Sequence, residues 1–417
     1  MKHRIRLSVI AIALFTVLSP VTAAQKSVNL KIFPETYTLS IDGAWVNPQK
    51  VTQYLKRINV QTGEREFLLK AEGYLDKKVK INITGRTSEL EIKLEKKSSM
   101  IEQVAVFQTG AHPKSVEFTP DGKYFACALL EGAGVDLFST STFQKVKTIE
   151  IPHQYAKLRN FVEIVFFTDR NEMWVSQMAA NAIHVIDMKD YSYKLTIPSK
   201  GIWTKIIAMT NDHKLAFASN WESHDVSVID VNQYKVIKKI KVAGIPRGMV
   251  TTADDKFLYV CIFSSGEIQK IDIASGKIVK TMKFPKGAKR HILLDKKKNL
   301  LYVSDMYRGS IYVINPADDK VIKEIPVDSK LNTAKLTPDG RYLFVSSRGP
   351  NNPVTYLKKG PKFGKVFVID TATLQIVEWI WGRNQPTGLD ISPDGKYLAF
   401  TNFLDNEVEY YRINYNK

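Results

Sequence analysis

Cysteine is nearly absent: the chain has two, Cys127 and Cys261. No Cys-x-x-Cys-His run exists, which excludes covalent c-type haem. No histidines or cysteines cluster at metal-ligand spacing, and there is neither a Gly-x-Ser-x-Gly elbow nor a P-loop. One apolar run stands out, from Leu7 to Leu18; no other stretch is long enough to cross a bilayer. Acidic residues are the minority charge, 42 against 60 Lys and Arg, for a formal net charge of +18. That excess is spread along the chain, with no block of like charge long enough to form a disordered tail.

The apolar run has the setting of an export signal. Lys2, Arg4 and Arg6 precede it, and Pro20-Val21-Thr22-Ala23-Ala24 offers a small-residue cleavage site. Residues 1–24 are therefore read as a signal peptide, and no transmembrane segment remains after its removal. No cysteine lies near the cleavage site, which argues against a lipid anchor. The expected location is the periplasm or the cell surface. The mature chain keeps a charge of about +15, which favours anionic partners: nucleic acid, acidic glycan or anionic lipid headgroups.

Residues 28–97 carry short runs with alternating apolar residues, the mark of half-buried strands: Val28–Ile32, Thr38–Ile41, Glu66–Leu69, Lys78–Ile83 and Leu90–Leu94. Asp42-Gly43 and Glu72-Gly73 are turn signals. A β-sandwich of about 70 residues follows, near the lower size for independent folding. Pro34 through Gly43, then Gly63 and Glu72-Gly73-Tyr74, resemble a PEGA domain, although Thr36-Tyr37 replace the Gly-Ala of that name. The resemblance implies a surface-associated accessory module with no catalytic residues.

Residues 101–417 repeat. First strands are expected near His112, Phe161, Thr204, Pro246, Lys289, Leu331 and Pro386, most of them about 43 residues apart, the length of a four-stranded propeller blade. Thr119-Pro120-Asp121-Gly122-Lys123 recurs as Thr337 to Arg341 and Ser392 to Lys396, with Pro, Asp and Gly each suited to a tight turn. Third strands end in Asp187, Asp230, Asp272, Asn315 and Asp370. The last repeat stops after three strands, so Gln103–Phe107 is expected to supply its fourth and remove two sheet edges. These motifs resemble the YVTN-type (YncE-like) seven-bladed β-propeller family. The fold class is accordingly all-β: a seven-bladed propeller preceded by a small sandwich. Cys127 and Cys261 fall in second strands of non-adjacent repeats, too far apart for a disulfide.

Propeller topology brings first-strand starts and second loops to one face. There the sequence gathers Lys114, Lys205, Arg247, Arg290 and His291 from strand starts, and Trp221, His224, Tyr307, Arg308, Arg348 and Phe403 from loops. Trp203, Trp381 and Arg383 lie just before starts. Nine of these, Lys114, Lys205, Arg247, Arg290, His291, Trp221, Tyr307, Arg308 and Trp381, are the candidate ligand-binding set, the basic ones on a solvated rim that attracts anions and the aromatic ones for stacking. Two basic, Tyr-containing insertions, 153–159 and 350–362, fall on the same face. The expectation is a monomeric, non-enzymatic binding or scaffold protein without cofactor or metal. Its partner would be an anionic polymer, either acidic glycan or single-stranded DNA, or an envelope protein. The resemblance adds that some such propellers bind single-stranded DNA and others occur in surface-layer proteins. Two alternatives stand beside this: a lactone or glycan hydrolase or lyase with Glu163 or Asp305 near a metal, and a purely structural spacer.

Overall fold

The computed structural model describes residues 24–98 and 100–415; the expected signal segment lies outside them but for Ala24. The described residues form two compact units. The first ends at Ile92 and the second starts at Lys93, with Glu72–Leu75 also belonging to the second.

The first unit holds two four-stranded sheets. In spatial order, one is Gln49–Lys50, Lys56–Gln61, Gln25–Phe33 and Glu89–Lys93; the other is Ala44–Val46, Thr38–Ile41, Gly63–Lys70 and Lys77–Ile83. Alternation works as the sequence suggests: Val28, Leu30 and Ile32 are buried along one strand, Phe67 and Leu69 along another. Lys56–Gln61 is a strand that the sequence reading passed over. Its only apolar residues, Ile58 and Val60, are buried between exposed Arg57, Asn59 and Gln61.

The second unit contains seven four-stranded antiparallel sheets, each built from strands consecutive in sequence except the last. Their inner strands are Pro113–Phe118, Phe161–Phe167, Thr204–Met209, Pro246–Thr251, Lys289–Asp295, Leu331–Leu336 and Pro386–Ile391. Each packs against the inner strand of the next sheet, and the seventh packs against the first, closing a ring. The fit is tight: a Cβ on Gly388 would lie 2.6 Å from Ser115 Cα, and one on Gly248 2.9 Å from His291 Cα, so only glycine is accommodated. The seventh sheet takes its outer strand from the other end of the unit, Ile101–Gln108, with Phe107 opposite Val408 and Ala105 opposite Tyr410.

Local chemistry explains the turns. In the first sheet Thr119 Oγ1 donates to Asp121 Oδ1 (2.7 Å), the Lys123 N–H donates to the same oxygen (3.1 Å), and Gly122 takes φ +69°. Gly340 and Gly395 repeat this, while the third and fourth sheets place His213 and Asp255 in the left-handed position. Four third strands end in Asp, and each of these accepts backbone N–H groups of its own turn, as Asp272 does from Ser275 (2.8 Å) and Asp370 from Thr373 (2.9 Å). Cys127 and Cys261 are free thiols, buried in separate apolar clusters. Among the described residues no helix is long and apolar enough to cross a membrane.

Candidate functional site

Every inner strand slips register near its second or third residue. Such bulges re-aim side chains and leave backbone groups unpaired. Here hydroxyls on the second strands take up the freed N–H groups: Glu163 N on Ser176 Oγ (3.1 Å), Ile206 N on Ser219 Oγ (3.0 Å), His291 N on Ser304 Oγ (3.2 Å), Thr333 N on Ser346 Oγ (3.1 Å) and Gly388 N on Thr401 Oγ1 (2.9 Å). Ser304 in turn donates to Asn332 O (2.7 Å) and Ser346 to Thr387 O (2.9 Å), tying each bulge to the next inner strand. Aligning the second strands shows the signal for this: Ser or Thr at the fifth position of five of them, replaced by Ala128 and Cys261 in the other two.

The bulges arrange the inner-strand side chains in layers. The second residues are Lys114, Val162, Lys205, Arg247, Arg290, Asn332 and Thr387. Lys114, Arg247, Arg290 and Asn332 line one axial cavity. Arg348, from the loop after Tyr342–Ser347, joins them; its Nη2 donates to Gln385 Oε1, and Gln385 Nε2 donates to Tyr356 O (2.7 Å) in the second insertion. Three of these cations are not on a solvated rim, contrary to the sequence reading: Arg247 is 5% exposed, Arg290 8% and Arg348 5%. Their strands turn them inward, and the inserted loop carrying Tyr356 contributes to the cover.

The hydrogen bonding of this group is incomplete. Arg290 Nε donates to Asn332 Oδ1. Among the described residues, buried Arg247 Nε and Nη1, Arg348 Nε and Asn332 Nδ2 have no partner, and all four are donors. Aromatic rings back the cations: Lys205 Nζ lies 3.4 Å from the Trp221 ring centroid, Lys114 Nζ 4.6 Å from Phe403 and the Arg348 guanidinium 5.4 Å from Tyr356.

The electrostatics confirm crowding of one sign. Burial pushes Lys205 down to about 6, with Arg247 and Arg290 adding to the effect and Glu222 opposing it. Lys114 is held well below its ordinary value by burial, then by Arg348, Arg290, Arg247 and Lys205. Burial pushes Arg247 and Arg348 each down to about 10. Glu163, in the third layer, is the counter-charge common to Arg247 and Arg290; burial raises its carboxyl and these guanidiniums pull it back.

Two layers below the cations lies a second polar group that sequence reasoning missed. Glu117, Lys335 and Asp390 are the fifth residues of their inner strands, and Lys335 Nζ bridges Glu117 Oε2 (2.8 Å) and Asp390 Oδ1 (3.3 Å). The axial cavity between the two groups has a volume of about 20 Å³, room for about one water.

Of the nine candidate residues, the structure brings together Lys114, Lys205, Arg247, Arg290 and Trp221, with His291 lining the cavity in the third layer. Burial pushes His291 down to about 3, with Lys335, Arg247 and Arg290 adding to it, so it stays neutral at ordinary pH. Tyr307, Arg308 and Trp381 stand apart from them. Tyr307 is exposed beneath Lys286, Arg308 pairs with Glu324 (Nε–Oε1 3.3 Å), and Trp381 ends an outermost strand beside Trp379 and Lys365. Arg348 and Phe403, read on the same face, and Tyr356 of the second insertion join the group instead. Asp305 is occupied by Lys289 (2.7 Å), both fully buried, and Asn220 by Asp225 and Ser227 (2.8 Å each). No group of three or more His, Cys, Asp or Glu among the described residues could hold a metal ion.

Comparison with known proteins agrees with this architecture. Residues 73–252 match a family described as YNCE-like beta-propeller, and residues 249–417 match one described as lactonase, 7-bladed beta-propeller. The solved structure of Kuenenia stuttgartiensis hydrazine synthase superposes with a TM-score of 0.62 at 18% identity, covering 73% of this chain and 97% of that one. An uncharacterised protein of Bacillus subtilis, YwhL, is 34% identical over 131 residues, 31% of this chain and 28% of its own. Antigen Lp49 of Leptospira interrogans is 39% identical over 402 residues, 92% of this chain and 88% of its own. At that identity and coverage the chain belongs to the same protein family as antigen Lp49, with an all-β fold of the propeller type.

Proposed function

We propose that this is an exported, non-enzymatic binding protein of the cell envelope that recognises an anionic polymer, or an acidic face of an envelope protein, at the axial mouth of the ring. In this reading the ring is a YVTN-type seven-bladed propeller and residues 28–97 a PEGA-like sandwich. The observation that carries the reading is the set of four buried, partnerless donors on Arg247, Arg348 and Asn332, amid cations that depress one another. A buried donor without a partner costs about 1–3 kcal/mol, so the arrangement makes physical sense when an acceptor-rich ligand completes it. The signal-like segment and the relative named an antigen support export to the envelope.

The test is binding of a labelled oligonucleotide and an acidic oligosaccharide as salt is raised. Affinity should fall steeply, because neutralising each phosphate or carboxylate releases counterions. Replacing Lys205, Arg247 and Arg290 together by Met should weaken binding and, for single strands, flatten the slope by about two. Trp221→Ala should weaken binding without changing the slope, since stacking is not ionic. If the parent binds neither probe, or the triple variant binds as the parent does, the reading fails and the spacer model replaces it.

Binding should also take up a proton. Lys205 sits at about 6 in the folded, anion-free protein against roughly 10.4 unfolded. Near neutral pH the folded state has therefore lost a proton that the unfolded state keeps, and Lys205 costs stability as pH falls from about 10 to about 6. An anion beside Lys205, facing Arg247, Arg290 and Glu222, reverses that shift. Calorimetric binding enthalpies at about pH 7.5 should depend on buffer ionisation enthalpy, with uptake approaching one proton and reduced in Lys205→Met. Buffer-independent enthalpies would remove Lys205 from the site.

A further inference from the structure

Two facts about the axial mouth narrow what enters it. Glu117 lines the cavity, and Lys335 ties it (2.8 Å) to Asp390 (3.3 Å). Its volume, about 20 Å³, rules out threading of a polymer backbone through the ring. The partnerless donors are also of the kind that grips one compact group from several sides. Arg247 presents Nε and Nη1, on opposite sides of its guanidinium, while Arg348 Nε and Asn332 Nδ2 both come from the sixth sheet. Arg290 is already anchored on Asn332, which holds that amide with its Nδ2 unpartnered.

We infer that the axial mouth is a blind pocket that takes a single multiply charged oxyanion end-on, a phosphomonoester or sulfate group at the end of a larger molecule. The inference rests on the anion-binding reading and deepens it: the polymer or headgroup stays outside, and only its terminal anion enters, the Arg247 and Arg348 side chains parting to admit a group larger than the one-water cavity. A dianion suits the site better than a carboxylate, because it can bring acceptors to donors of the fourth and sixth sheets at once. Glu163 lines the cavity in the layer below the arginines.

The experiment is thermal unfolding of the full chain with low-millimolar inorganic phosphate or sulfate, against chloride at equal ionic strength. At such concentrations the general stabilising action of these salts is small, so a saturable rise in midpoint reports a site. Phosphate and sulfate should give it and chloride should not. Arg247→Met should abolish the rise, or weaken the apparent affinity by about tenfold or more. The anion-free Arg247→Met protein should be as stable as the parent or more so, because a buried cation among like charges has been replaced by an apolar chain of similar length. A structural role for Arg247 predicts the reverse, a lower midpoint. Arg308→Met, at the exposed pair with Glu324, should keep the full response. Two further arms identify the carrier. Displacement of phosphate by glucose 6-phosphate points to a phosphorylated glycan, and co-sedimentation with vesicles containing phosphatidic acid, but not with phosphatidylcholine alone, points to a lipid headgroup; either result supports the pocket. Polymer binding that persists while phosphate and sulfate act no differently from chloride overturns the blind pocket and leaves the broader reading standing. A response unchanged in Arg247→Met also overturns it.

Discussion

Removal of residues 101–108 is expected to leave no stable folded monomer. The strand Ile101–Gln108 is the outer strand of the sheet that joins the two ends of the ring, pairing along its length with Glu407–Ile413. Without it, the backbone groups of Glu407–Ile413 form an open edge, a template for association with other chains. The loss also opens an aromatic cluster. Phe107, 3% exposed, packs against Phe125 (ring centroids 4.9 Å apart), Phe138 (5.4 Å) and Tyr410 (5.9 Å). Phe107→Ala is the graded form of the same experiment and should cost about 3–5 kcal/mol in denaturant unfolding. Val106 lies next to it on the exposed face, and Val106→Ala should stay within about 0.5 kcal/mol. Light scattering of the deletion and unfolding of the two point variants check the argument. A monomeric deletion with parental stability would show that the ring does not depend on this closure.

How much of this was legible depends on whether the signal is local. The Thr-Pro-Asp-Gly turns were readable because their chemistry is complete within five residues, from the Thr119–Asp121 bond to the positive φ of Gly122. The third and fourth sheets show why motif counting alone falls short: His213 and Asp255 stand where glycine is expected, and the Thr210–Asp212 and Thr252–Asp254 bonds hold the turns instead. The basic second residues of inner strands were likewise readable once the starts were aligned. Their burial was not, because it depends on a register slip in each strand and on Arg348 and Tyr356 arriving from an insertion. Tyr307 and Arg308 were misplaced for a related reason. Both follow Asp305, whose carboxylate accepts their backbone N–H groups (2.9 Å each), while their side chains meet Lys286 and Glu324 instead of the cation group. The Glu117–Lys335–Asp390 group carries no motif: its members are far apart in sequence and meet only because each is fifth in an inner strand.

That group should give a large effect with a distinctive dependence on pH. Burial opposes the ammonium of Lys335, but Asp390 and Glu117 outweigh it and hold its proton above the usual range. The Glu117 carboxyl is pushed well above its ordinary value by burial, then by Asp390, with Lys335 pulling it back. Lys335→Met leaves two carboxyls together near the axis with no cation between them; because Lys335 is half-buried, the cost should fall below the about 3–5 kcal/mol of a fully buried pair. The pH dependence separates this from simple loss of packing. In the variant the Glu117 carboxyl, already raised by burial and Asp390, loses the pull of Lys335 and should titrate further above its unfolded value, so the folded state holds more protons than the unfolded one between about pH 4 and the raised value, and stability falls as pH rises through that window. The deficit relative to the parent should therefore be greatest at and above neutral pH and shrink toward about pH 5, where Glu117 is protonated. Adding Glu117→Gln should restore much of the loss at neutral pH by removing one of the two charges. A deficit that stays constant with pH, or that Glu117→Gln deepens, would mean that Lys335 serves the ring by packing its chain and not by neutralising the two carboxylates.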